Sequence, residues 1–187
     1  MWPWGHAAVG YLLYSLGCQA TGRRVVAAPG LALAVGTQFP DLVDKPLGWT
    51  LGILPGGRTL AHSLLTFVIV SFLLGLLARR YGRAELGVAF VVGYLSHTLS
   101  DGLYAVIEGE IQSLSYLLWP LFTMPPVETA QTFSAHFATL VLGPYVLFEL
   151  LLACLAAIRW YVDGRPGLEG ARRLVHSGHN RLQGFAE

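Results

Sequence analysis

Residues 60–80 read LAHSLLTFVIVSFLLGLLARR. Behind His62 and Ser63 comes an apolar run that stops at Arg79 and Arg80. A spanning helix needs about 20 mostly apolar residues, and residues 60–78 supply them. Residues 137–158, ending against Arg159, form a second such segment. Residues 86–107 form a third, with His97 and Asp101 in its second half. Residues 6–20 and 25–39 are shorter and are joined by the polar hairpin Thr21-Gly-Arg-Arg24. Short spans are accommodated by burial among other helices or by local thinning of the bilayer. The expected fold class is therefore all-α, a polytopic transmembrane helical bundle of about five spans.

Composition agrees with a membrane setting. Of 187 residues, 54% are hydrophobic and 12% charged, with a mean hydropathy of +0.55. A soluble domain carries about 25% charged residues. The formal net charge of +1 argues against a nucleic-acid footprint. The length allows one domain: a transmembrane helical domain over residues 1–162 and a Gly- and Arg-rich cytoplasmic polar tail over 163–187. Within that tail His176 and His179 are three apart, a spacing that suits either a metal or a solvated end. Cys18 and Cys154 lie in apolar runs and read as small core residues. Two cysteines make no zinc motif. The opening Met-Trp-Pro-Trp-Gly-His has no basic segment of the signal-peptide kind, so no cleavage is expected.

Basic residues set the expected orientation. In a five-span arrangement ten arginines, among them Arg23, Arg24, Arg79, Arg80, Arg83 and Arg159, fall on one side, and only Lys45 and Arg58 fall on the other. This puts the N-terminus outside and the C-terminus in the cytoplasm of a multi-pass cell-membrane protein. Trp2, Trp4, Trp49 and Trp119 then lie at the outer interface, where indoles prefer to sit. The fourth connection is too apolar for a plain linker, and residues 111–122 predict an interfacial or re-entrant helix there.

The ionisable residues fall at one depth. His6 lies 17 residues before Arg23, Asp41 17 after Arg24, His62 17 before Arg79, and Asp101 18 after Arg83. At about 1.5 Å per residue, each sits roughly 25 Å above the inner boundary. His97 is one turn deeper, on the same helix face as Asp101. Ionisable residues inside a membrane usually face the bundle interior and mark a function. Imidazole with carboxylate suits zinc, manganese or iron, and oxygen-rich sites suit magnesium. His6, Asp41, His62, His97 and Asp101 are thus the expected metal ligands. Asp44 or His136 is the expected general acid or base, with an interfacial role the alternative for His136. Arg58, preceded by Pro55-Gly-Gly, suits a phosphate or a lipid headgroup. Glu149 is expected mid-span, roughly 20 Å below this ring, beside a kink at Pro144. It is either hydrogen-bonded across the bundle or part of a proton path.

In order, the polar segments are Trp4-Gly-His6, Phe39-Pro-Asp-Leu-Val-Asp44, Arg58-Thr-Leu-Ala-His-Ser63, Gly93-Tyr-Leu-Ser-His-Thr-Leu-Ser-Asp101 and Leu118-Trp-Pro120. This series resembles the prokaryotic membrane-bound metal-dependent hydrolases, described as LexA-binding, inner-membrane-associated proteins, over roughly two-thirds of the chain. The family pattern has an N-terminal His, Pro-Asp-x-Asp, His-Arg-Gly-x-Thr-His-Ser, His-x-x-x-Asp and Trp-Pro. Here Gly57 replaces the first His of the third motif, Ala61 replaces its Thr, and Asp44 comes one position late. The resemblance implies a divalent metal ion, zinc or manganese before magnesium, and hydrolysis. Headgroup depth adds the expectation of a membrane lipid or lipid-linked phosphoester as substrate. The alternatives are a small-solute or ion transporter with an outer polar vestibule and Glu149 on its path, or a scaffold with a structural metal. Nothing in the sequence fixes an oligomeric state.

Overall fold

The computed structural model describes residues 1–122 and 132–168, so His176 and His179 lie outside the described residues. Among the described residues there are α-helices and no strands. Five helices are long: α1 (Pro3–Ala20), α2 (Ala27–Lys45), α3 (Leu64–Arg80), α4 (Ala84–Ser100) and, completing the bundle, a last helix over Pro144–Val162. Between α4 and that last helix come two six-residue helices, α5 (Leu103–Glu108) and α6 (Phe133–Ala138), which makes the last one α7. A π turn over Pro46–Thr50 extends α2, and residues Ile111–Leu118 form a 3₁₀ helix.

All five expected segments have different bounds in the structure, and the one expected over 86–107 is broken at Asp101 and Gly102 into α4 and α5. α1 and α2 are not short, at 18 and 19 residues. α2 continues through Pro40 although proline lacks the N–H that its helix would use. The Lys45–Asp41 pair at 2.6 Å and the contacts of Asp44 hold the turn beyond it. α3 starts at Leu64 because Ser63 caps it, its Oγ accepting from the Leu65 N–H, so His62 precedes the helix. α7 begins with Pro144 at its first turn, where proline is tolerated, instead of bending a longer helix that starts at residue 137.

The helices pack inside out relative to a soluble protein. His6, His62, His97, Asp44, Thr59 and Glu149 are fully buried, whereas Leu31, Leu65, Phe72, Leu73, Leu147 and Leu151 are exposed. α3 buries no residue at all. Cys154 is exposed and Cys18 buried, both free, so only Cys18 meets the core expectation. By length and composition α7 is apolar enough to cross a membrane, with a mean hydropathy of 1.7.

Small residues let the backbones close up. A β-carbon at Gly36 would meet the Phe90 carbonyl oxygen at 2.3 Å, and one at Gly93 would meet that of Leu33 at 2.5 Å. These contacts join α2 to α4. α1 and α7 run in the same direction: the Trp2 N–H reaches Glu149, and Tyr11 and Ser15 reach Asp163. The N-terminal ends of α1 and α7 therefore share one end of the bundle with the C-terminal ends of α2 and α4.

Replacing Gly36 by leucine forces the α2–α4 backbones apart. The expected cost is about 1–3 kcal/mol or more, read as a lowered unfolding temperature in detergent. An unchanged transition would show that this contact does not exist.

Candidate metal centre

The shared end of the bundle collects five side chains from four segments. α1 brings His6, α2 brings Asp41, the chain ahead of α3 brings His62, and α4 brings His97 with Asp101 at its C-cap. His97 and Asp101 are one turn apart, which puts both on one face of α4.

Each imidazole is held by one nitrogen and offers the other. His97 Nδ1 is 2.6 Å from the Thr37 carbonyl oxygen, His62 Nδ1 is 2.8 Å from Asp44 Oδ2, and His6 Nδ1 is 3.0 Å from Ser100 Oγ. A carbonyl oxygen can only accept, so Nδ1 of His97 carries the proton and Nε2 of the neutral ring bears a lone pair. His62 Nδ1 likewise donates to the Asp44 carboxylate. The two Nε2 atoms face each other at 3.2 Å, a separation that calls for a positive species between them, either a proton on His62 Nε2 or a metal. His6 stacks on His97 with ring centroids 3.6 Å apart. Its buried Nε2 makes no hydrogen bond, although it lies 3.1 Å from Asp101 Oδ1.

The carboxylates close the group. His62 Nε2 is 3.5 Å from Asp41 Oδ1 and 3.4 Å from Asp101 Oδ2, and His97 Nε2 is 3.8 and 3.9 Å from the same oxygens. Donors around a four-coordinate zinc with bonds of about 2.0–2.1 Å lie roughly 3.3 Å apart, close to these separations. Two overlapping donor groups, His6–Asp41–His97 and His62–His97–Asp101, each have ligand atoms within 4.8 Å of one another. The residues present fit a divalent cation.

Asp44 has a different place from the one expected. It is fully buried, and its two oxygens accept the backbone N–H groups of Thr59, Ala61 and His62 as well as His62 Nδ1. Oδ2 takes part in three of these contacts and Oδ1 in one. Asp44 therefore orients His62 and pins the chain ahead of α3, in a fully buried position away from the five clustered side chains' open face. Tyr94 secures the same stretch by donating to the Ala61 carbonyl.

Arg58 lies at the rim, its Nε 2.8 Å from Asp101 Oδ2 and its side chain 46% exposed. His136, on α6, stands apart from the five ligands and packs between Trp2 and Trp49, with ring centroids 4.8 and 5.3 Å away. Burial first, and then the charge of Lys45, hold its imidazole below the ordinary value. Glu149 is not midway down the bundle. With α7 starting at Pro144 it lies near the helix start, where it accepts from the Trp2 N–H at 2.9 Å and the Tyr104 hydroxyl at 2.7 Å.

Sequence reasoning missed several partners. Lys45 binds Asp41 at 2.6 Å, and the i, i+4 spacing was there to be read. The Met1 amino group meets Asp101 Oδ1 at 2.7 Å. The Thr37 carbonyl, which sets the tautomer of His97, has no sequence signal. At Gly57, where the resembling family has a histidine, a β-carbon would meet the Trp49 indole nitrogen at 2.5 Å. Trp49 fills the space of that missing donor.

A family model described as YdjM inner membrane protein matches residues 1–171. No curated protein and no solved structure matches the chain.

Replacing Asp44 by alanine strands three backbone N–H groups and one imidazole N–H. Each unsatisfied buried group costs about 1–3 kcal/mol, so limited proteolysis between residues 51 and 63 should speed up strongly. Unchanged cleavage would refute the anchoring role.

Proposed function

Because the chain belongs to the YdjM inner membrane protein family, we propose that it is a membrane-embedded, divalent-metal-dependent hydrolase. In this reading the five long helices cross the bilayer with the N-terminus outside, and the active site lies at the outer interface. The substrate is a lipid or lipid-linked phosphoester. The convergence of the His62 and His97 Nε2 atoms at 3.2 Å, with both Nδ1 atoms already bound, carries this reading. Imidazoles at catalytic metals are oriented in this way by a carboxylate or carbonyl behind them.

Asp41, His62, His97 and Asp101 would hold the metal, with His6 as the fifth donor. Zinc and manganese suit the mixed imidazole and carboxylate set better than magnesium. When bound, the cation supplies a water of lowered pKa and polarises the substrate oxygen. The chain's own residues do the rest. Thr37 and Asp44 fix the two rings, Asp101 couples the centre to Arg58, and Arg58 offers guanidinium donors to a phosphoryl oxygen. His136 takes over the proton-transfer role once assigned to Asp44 as well, since its Nε2 has no partner. The inside-out packing favours a bundle immersed in lipid, and a site at headgroup depth favours a lipid substrate. The transporter alternative relied on a mid-bilayer Glu149, and with both its oxygens engaged near the start of α7 that support is gone.

Element analysis of detergent-purified protein, with a hydrolysis assay on phosphoesters and phospholipids, tests the proposal. Wild type should carry near-stoichiometric zinc or manganese and lose turnover on chelation. His97→Ala should lose the metal, and Asp44→Asn should bind it about 10–100-fold more weakly. Metal content unchanged in folded His97→Ala would defeat the assignment.

A further inference from the structure

Beside the candidate metal centre, α6, α7 and the first residues of α1 enclose a cleft of about 330 Å³. Arg58 and His136 both line it, as do Trp2, Val141 and Val146. We propose that this cleft is an anion subsite that takes the phosphate of an amphiphilic phosphoester, with the apolar chain laid against Trp2, Val141 and Val146. The proposal rests on the hydrolase reading for its meaning, but the binding it predicts does not depend on a metal.

Three observations converge on an anion. First, Arg58 spends only its Nε on Asp101. Its two terminal nitrogens have no hydrogen-bond partner among the described residues, and the side chain is half exposed beside the cleft. A guanidinium fork left open in this way matches two oxygens of a phosphate. Second, the His136 imidazole lines the cleft beside Arg58, and its buried Nε2 has no protein partner. Third, α7 opens onto the cleft through Pro144, Tyr145 and Val146 with no side-chain cap, and uncapped N–H groups at the positive end of a helix favour negative charge.

Glu149 also lines the cleft and would repel an anion if its charge were free. Both its oxygens accept hydrogen bonds, from the Trp2 N–H and the Tyr104 hydroxyl, which disperse that charge without cancelling it. The walls argue for an amphiphile over a small soluble anion. Val141, which lines the cleft, is 73% exposed, and Trp2, whose indole stacks on Trp4, lines it too. A phosphate held by Arg58 would stand next to Asp101, and therefore next to the proposed metal, as a phosphoester awaiting attack must.

Binding of inorganic phosphate and of dioctanoyl phosphatidic acid to the purified full chain separates the possibilities, with metal content measured on each sample. Wild type, whether metal-loaded or chelator-treated, should bind phosphate, and the amphiphile should compete more tightly. Phosphate binding without competition by the amphiphile would keep the subsite but overturn the lipid source. Arg58→Gln should weaken binding at least about tenfold, the loss of a charge-assisted pair. Because Arg58→Gln also unpairs Asp101 and could impair folding, Val141→Trp provides an independent reading. It fills the cleft, leaves every ion pair in place, and should abolish binding at unchanged metal content. Wild type that binds neither probe, or binding that survives Val141→Trp, overturns the subsite. Wild type that carries no metal as purified, with phosphate binding intact, would instead overturn the hydrolase reading.

Discussion

Asp101 takes a carboxylate into a place where its side chain is only 2% exposed, and the rest of the centre is arranged around that fact. An isolated buried charge costs far more than any folded domain can spare. The cations and imidazoles that answer it come from separate stretches of chain: the Met1 amino group, His6, Arg58 and His62. None is a sequence neighbour of Asp101, so satisfying this one group obliges α1, the segment ahead of α3 and the end of α4 to meet. Asp44 does the complementary work on the backbone. It holds Thr59, Ala61 and His62 in one grip, which turns a Gly- and Pro-rich connection into a fixed ligand platform.

Such a polar interior needs an apolar exterior in the right solvent. In water the exposed leucines and phenylalanines of α3 and α7 would be a liability. In the proposed multi-pass arrangement within the inner membrane they would face lipid, and the strength of buried ion pairs rises as water is excluded. The glycine contacts between α2 and α4 bring those two backbones close enough for the Thr37 carbonyl to reach His97. Packing and ligand geometry are thus one constraint: widening the α2–α4 interface would release the imidazole whose orientation defines the centre.

The helical content and the gathering of His and Asp at one end were legible because both are periodic. Apolar runs of fixed length separate the arginines from the ionisable residues, and counting along them recovers the common depth. What stayed hidden was set by single atoms. Ser63 Oγ decides that α3 excludes His62, Pro144 at the first turn decides that α7 excludes residues 137–143, and the second fact moves Glu149 from the middle of a helix to the rim of the site. Asp44, expected as a general acid or base, has as partners His62 and backbone groups 15 to 18 residues away, which no pattern of side-chain types reveals.

The cations around the centre also bear on how a metal would enter. Lys45 holds Asp41 Oδ2 and leaves Oδ1 toward the imidazoles. Arg58 holds Asp101 Oδ2, the oxygen that also faces His62 and His97. The first pair can persist while Asp41 acts as a one-oxygen ligand, because the two contacts use different atoms. The second pair shares its oxygen, so a divalent ion and the Arg58 guanidinium compete for it directly. An ion taking Asp101 Oδ2 would therefore have to share that oxygen with Arg58 or displace it, so in the proposed reading the metal and the guanidinium meet at one carboxylate oxygen.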